Sequence, residues 1–187
     1  MSEPQKLHSF VLYVENQPGV LNRVASLFRR RAYNIESLTV GHTERPGISR
    51  MTIVAGISEG AAHRVEANLY KLAPVLSVED VTHIPVIARS LAFIKVSAND
   101  ESRYRLMEIA RVFRARVVDL ATESLVIEIT GTEEKVDALV GVLRPFGILE
   151  MARTGQVVMS RGTKSAPDSR SEGRSDFLLE EEASQSV

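Results

Sequence analysis

Glu15-Asn16-Gln17-Pro18-Gly19-Val20-Leu21, followed one helix length later by Tyr33-Asn34-Ile35-Glu36-Ser37-Leu38, decides how this chain is read. Phe10, Leu12 and Val14 alternate with polar or outward positions, as in a half-buried strand, and the alternation stops at Asn16. Pro18 suits the first helical position, where a missing N–H costs nothing. Gly19 lets the backbone approach a ligand closely. The N–H groups of Gly19, Val20 and Leu21 then sit at the positive end of a helix dipole, where a carboxylate gains about 0.3–1 kcal/mol from the dipole alone. The motif therefore reads as a strand running into a helix start suited to a small anion, such as the carboxylate of a free amino acid. The plainer reading, in which Pro-Gly only opens a helix, stays open on the turn alone.

Outward from that turn, the first half reads as a strand over 9–14, a helix over 18–31, strands over 34–42 and 49–57, a helix over 60–72 and a strand over 75–84. Val20, Leu21, Val24, Ala25, Leu27 and Phe28 recur at helical spacing, as do Ala62, Val65, Leu69 and Leu72. Glu44-Arg45-Pro46-Gly47 predicts a hairpin between the second and third strands. The second half repeats the order: a strand over 91–96, a helix over 102–114, strands over 117–121 and 124–130, a helix over 133–143 and a strand over 148–159. Leu106, Ile109, Ala110 and Phe113 form one helical stripe, and Val136, Leu139, Val140 and Leu143 the other. Thr132 is an N-cap candidate. The fold class is thus α+β, two ferredoxin-like βαββαβ domains at 7–85 and 86–162, joined near Pro85. From residue 163 to 187 the composition turns to Ser, Asp, Glu, Arg and Gly around Phe177-Leu178-Leu179, which predicts a disordered tail.

Composition narrows the function. The chain has 187 residues, 44% hydrophobic and 25% charged, with net charge −1, and lacks the basic footprint of nucleic-acid or anionic-membrane binding. Without Cys there is no disulfide, zinc-thiolate site or cysteine nucleophile. Residues 1–6 are polar and no stretch has the roughly 18 apolar residues of a membrane span, so a cytoplasmic location is expected. His8, His42, His63 and His83 are scattered without metal-ligand spacing, so no metal site is expected. Gly56-Ile57-Ser58-Glu59-Gly60 has neither the spacing nor the lysine of a phosphate loop. Arg29-Arg30-Arg31 closes a helix, where its charge suits the dipole. Asn34, at the start of a strand, can aim two donors and one acceptor across an interface, and Ser49-Arg50-Met51-Thr52 on the next strand can add contacts.

Taken together, Glu15-Asn16-Gln17-Pro18-Gly19-Val20-Leu21, Tyr33-Asn34-Ile35-Glu36-Ser37-Leu38-Thr39-Val40 and Ser49-Arg50-Met51-Thr52 resemble the small regulatory subunit of acetolactate synthase, also called acetohydroxyacid synthase. Phe113-Arg114-Ala115-Arg116-Val117-Val118-Asp119, Thr130-Gly131-Thr132-Glu133-Glu134-Lys135, Leu143-Arg144-Pro145-Phe146-Gly147 and Ala152-Arg153-Thr154-Gly155 are similar to that family's second domain. The resemblance implies an N-terminal ACT domain that dimerises side by side and binds valine at the dimer interface. The effector would contact Asn16, Gln17, Pro18, Gly19, Val20 and Leu21 of one protomer, and Asn34 and Ile35 of the other. It implies a non-catalytic chain that activates, and confers feedback inhibition on, a catalytic large subunit of branched-chain amino acid biosynthesis. Thiamine diphosphate, Mg and FAD are implied on that partner and no cofactor on this chain. Ala32 stands where the family carries Gly, which implies strain if φ there is positive.

Three other readings share the element order: a free-standing ACT sensor with another target, an acylphosphatase-like enzyme, and an RNA-binding module. The last stacks bases on aromatics of its central strands, whereas the third strand here offers Met51, Ile53, Ala55 and Ile57.

Overall fold

The computed structural model describes residues 5–162; the expected tail at 163–187 lies outside them. One compact unit comprises the described parts of Met1–Val86 and Met159–Val187, the other Ile87–Val158.

In the first unit, β1 (Lys6–Glu15), α1 (Val20–Arg30), β2 (Ile35–His42), β3 (Ile48–Ile57), α2 (Glu59–Tyr70) and β4 (Val75–Asp80) follow in βαββαβ order. The four strands form an antiparallel sheet in the order β2-β3-β1-β4, so β2 is an edge strand. Alternation on β1 sends Phe10, Leu12 and Val14 to one face, where they meet Met51, Ile53 and Ala55 of β3. Val20, Val24, Leu27 and Phe28 of α1, and Ala61, Ala62, Val65 and Leu69 of α2, close the same core. Full burial of each large apolar side chain stabilises by about 1.5–3 kcal/mol, so this face holds the unit together. The hairpin expected at 44–47 joins β2 to β3, with Gly47 at φ +77° in its turn.

The second unit repeats the plan with β5 (Val86–Ser97), α3 (Asp100–Val112), β6 (Arg116–Leu120), β7 (Ser124–Gly131), α4 (Glu133–Leu143) and β8 (Ile148–Arg153), in sheet order β6-β7-β5-β8. Its core gathers Ala92, Ile94 and Val96 with Leu125, Ile127 and Ile129, covered by Leu106 and Ala110 of α3 and Val136, Leu139 and Leu143 of α4.

Four boundaries differ from the sequence reading for visible reasons. Helix α1 begins at Val20, and Gly19 at φ +82° is its N-cap, so Pro18 precedes the helix. Strand β4 stops at Asp80: Val81 N still donates to Ser9 O (2.8 Å), but Thr82 Oγ1 accepts from Ser9 N (2.9 Å) where a carbonyl would continue the ladder, and Asp80 Oδ1 accepts from the Thr82 N–H (3.0 Å) and hydroxyl, closing a side-chain turn. Strand β5 starts at Val86, directly after Pro85. The strand expected over 148–159 is broken: the Thr154 N–H donates to Leu91 O (2.9 Å) and its Oγ1 accepts from the Leu91 N–H (3.0 Å), after which a separate strand β9 (Val157–Ser160) pairs β5.

Both first helices end alike. Tyr33 N donates to Phe28 O (3.0 Å) and Ala32 N to Arg29 O (3.0 Å), while Ala115 N donates to Ala110 O (2.8 Å) and Arg114 N to Arg111 O (3.0 Å). This 6→1 and 5→2 pairing normally places glycine in left-handed backbone. Here Ala32 (φ +54°) and Arg114 (φ +51°) hold that position, as the Ala32 reading anticipated.

Candidate functional site

The turn after β1 is tied at both sides. Glu15 N donates to Pro74 O and Asn16 N to Gly47 O, each at 2.8 Å, and Gln17 N donates to Glu15 O at 3.0 Å. Asn16, Gln17, Pro18 and Gly19 are exposed on this anchored base. Left-handed Gly19 turns the chain into the helix, and no side chain caps α1. The Val20 N–H points back to Gln17 O (3.4 Å), and Arg23 N donates to Gly19 O (3.1 Å). Counting from Gly19 as N-cap, the first-turn donors without an intrahelical acceptor include Leu21 and Asn22. The donor set therefore shifts from Gly19, Val20 and Leu21 toward Leu21 and Asn22. Asn22 was missed because the helix was started at Pro18. No acidic residue stands in this first turn, and Leu21 beside it is 45% exposed.

The other half of the expected site lies elsewhere in the same protomer. Ile35 is level with Ala55, and Ala55 with His8, so Asn34 and Ile35 sit at the start of β1, whereas the turn follows its end. About eight strand residues, roughly 26 Å, separate the two levels. One protomer does not bring them together. Asn34 is exposed, and its Nδ2 donates to Glu36 Oε1 (2.6 Å), which leaves the amide Oδ1 as its acceptor. The stretch at 49–52 is engaged within the protomer: Arg50 lies 5.7 Å over the Tyr13 ring and donates to Tyr13 Oη (3.2 Å) and Thr52 Oγ1 (3.3 Å), while Ser49 and Thr52 are buried.

The matching helix start of the second unit is closed by its own side chains. Asn99 Oδ1 accepts from Ser102 N (2.8 Å) and Ser102 Oγ accepts from Asn99 N (3.0 Å), a reciprocal capping box, with Asp100 and Glu101 in the first turn. At α4, Thr132 Oγ1 accepts from Lys135 N (3.4 Å). Glu134, hydrogen-bonded to its own N–H and to Thr132, has its carboxyl held below the ordinary range.

Comparison with known proteins covers both units. The family described as AHAS small subunit-like ACT domain matches residues 10–77, and that described as small subunit of acetolactate synthase matches 89–162. A probable acetolactate synthase small subunit of Archaeoglobus fulgidus is 48% identical over 157 residues, which covers 84% of this chain and 98% of that protein. The chain belongs to the acetolactate synthase small-subunit family. An acetolactate synthase small subunit of Mycolicibacterium smegmatis is 45% identical, covering 88% of this chain and 96% of that one. The crystal structure of a Thermotoga maritima acetolactate synthase small subunit superposes with TM-score 0.80 at 37% identity, over 85% of this chain and 99% of that one. The ACT match of this small-subunit family member contains both the 16–21 turn and Asn34-Ile35. No helix among the described residues is long and apolar enough to cross a membrane.

Proposed function

We propose that this chain is the regulatory, non-catalytic subunit of an acetolactate synthase, binding valine between two copies of its N-terminal ACT domain and so inhibiting, while its presence activates, a catalytic large subunit in the cytoplasm. The thiamine diphosphate, Mg and FAD of the reaction belong to that large subunit in this reading. Residues 7–85 sense the amino acid, and 86–162 hold the catalytic partner.

The carrying observation is the uncapped start of α1 behind left-handed Gly19, a helix N-terminus with no acidic neighbour in its first turn. A carboxylate there meets first-turn N–H groups and the dipole together. The ammonium needs an acceptor, and the amide Oδ1 of exposed Asn34 has that chemistry. The separation within one protomer favours a two-chain site. Strand β2 is an edge with His42 level with Ser49 and Val14. Antiparallel pairing of two β2 edges about a two-fold axis between Leu38 and Thr39 would set the partner's Ile35 opposite His42, at the level where β1 runs into the turn. Edge pairing also covers the exposed side of β2, where Val40 is 44% exposed. A coupling of 1–3 kcal/mol between valine and catalytic sites corresponds to inhibition of about five- to 150-fold.

The test is sedimentation of the full chain with and without valine, followed by calorimetric titration with valine, leucine and isoleucine. A dimer that binds valine saturably is expected. A chain that stays monomeric at micromolar concentration in the presence of valine overturns the two-chain site.

A further inference from the structure

We propose that His8, Glu59 and His83 form a binding site for one divalent cation of zinc-like preference, at the end of β1 remote from the amino-acid turn. Three elements meet there: the beginning of β1 supplies His8, the first residue of α2 supplies Glu59, and the turn after β4 supplies His83. One donor atom from each lies within 4.8 Å of the others.

The buried member makes the argument. His8 is 0% exposed, and its Nδ1 lies 2.8 Å from Asp80 Oδ2. Asp80 is held as an acceptor, because its other oxygen takes the Thr82 N–H (3.0 Å) and hydroxyl. A proton therefore belongs on Nδ1 of His8, and in the neutral ring Nε2 carries a lone pair. That Nε2 is fully buried with no hydrogen-bond partner among the described residues, and it faces Glu59 Oε2 at 3.7 Å. A buried lone pair directed at a carboxylate, with nothing positive between them, is unfavourable; a cation placed between them satisfies both.

The remaining geometry suits a metal. Glu59 Oε1 lies 3.2 Å from His83 Nε2. Tetrahedral zinc with bonds of about 2.0–2.1 Å spaces its ligand atoms about 3.3 Å apart. His8 is fixed by its surroundings, whereas the Glu59 and His83 side chains are 53% and 61% exposed and can rotate to bring the donors from within 4.8 Å of one another to ligand spacing. Two imidazoles and one carboxylate leave a fourth position for water. Asp80 on the far nitrogen of His8 completes the carboxylate–histidine–metal arrangement that orients a ligating ring and raises its basicity.

The rival occupant is a second proton on His8, giving an imidazolium between Asp80 and Glu59, and the experiment separates the two. Chelator-treated full-length chain is titrated with zinc, and separately with cobalt, whose visible absorption reports coordination by nitrogen and oxygen. Expected are one metal per chain, a cobalt spectrum of low coordination number, and a raised melting temperature; zinc at a hundred times its Kd raises the folded-to-unfolded ratio about a hundredfold. His83→Gln and Glu59→Gln, on exposed side chains, should each keep the native circular dichroism and weaken zinc by at least about tenfold. His63→Gln on α2 should leave zinc affinity unchanged. Absence of saturable binding, binding undiminished in both variants, or an NMR signature of doubly protonated His8 persisting at neutral pH with zinc present would each overturn the site.

Discussion

Helices α1 and α3 occupy the same place in their two βαββαβ units and close on the same hydrogen-bond pair with a non-glycine residue in left-handed backbone. Their beginnings differ. At α3, Asn99 and Ser102 satisfy each other's backbone and two acidic residues follow. At α1, Gly19 offers no side chain, and the first-turn donors face outward beside exposed Leu21. One fold thus carries a helix start without a side-chain cap in one copy and a self-satisfied one in the other. In the proposed function, capacity for a ligand is a property of four or so residues at a helix start, independent of the sheet and core that the copies share.

Changes at these two helix starts should break that contrast most sharply. Gly19→Asp should abolish valine binding, a loss of well over tenfold or about 1.4 kcal/mol and more, because a fixed carboxylate takes the ligand's place. A Cβ at Gly19 meets nothing within 4 Å, and Asp and Asn are the side chains that best tolerate its left-handed backbone, so both variants should fold at a cost of about 1–2 kcal/mol or less. Gly19→Asn, of the same shape and tolerant of left-handed backbone, should retain most of the affinity in calorimetry. If both variants bind valine normally, the open helix start is not the site. Asn34→Ala comes next: loss of one hydrogen bond to a charged group costs about 1.5–3 kcal/mol, so valine inhibition should weaken by about tenfold or more while activation of the catalytic subunit stays. Loss of activation and inhibition together, with subunit binding intact, would contradict the division of labour between the units.

In the second unit, Asn99→Ala should lower stability by about 1 kcal/mol in chemical denaturation and leave valine inhibition unchanged. A changed valine response would show that the second copy takes part in sensing. The shared helix ends predict smaller gains. Ala32→Gly and Arg114→Gly should each stabilise by up to about 1 kcal/mol through relief of left-handed strain, read as a rise in denaturation midpoint.

The smallest effect is expected at Glu66 on α2. Burial raises its carboxyl above the ordinary value, outweighing a hydrogen bond from the Asp80 backbone and nearby His63, which lower it, while the Asp80 and Glu79 charges add to the rise. A raised folded value means that stability is fully present below the unfolded pKa and declines as pH rises through the folded one. Glu66→Gln should therefore raise the melting temperature at neutral pH, and that gain should vanish at about pH 4, where the native side chain is itself protonated. A gain that persists in acid would assign the effect to packing.

Much of this was legible in the residues. Period-two and period-3.6 patterns marked both repeats and the Pro46-Gly47 turn marked the hairpin, since each depends on local chemistry. The strand ends at 80 and 154 were not legible, because the side chains of Thr82 and Thr154 accept from the neighbouring strands in place of carbonyls only when those strands are in place. The start of α1 was misplaced for a related reason: Pro18 fits a first helical turn as well as a turn before one, and the left-handed conformation of Gly19 chose between them.

By itself the sequence determined the element order, the repeat, the family resemblance and the chemical character of the turn at 16–21. Only the tertiary structure decided that β2 is an edge, that Asn34 and Ile35 lie at the opposite end of β1 from that turn, and that His8, Glu59 and His83 share one place. Periodicity reports which face of its own element a residue occupies. Which strand is left unpaired, and which distant side chains converge, follow from how the elements are ordered in the sheet, and that order is set by long-range packing that no local pattern encodes.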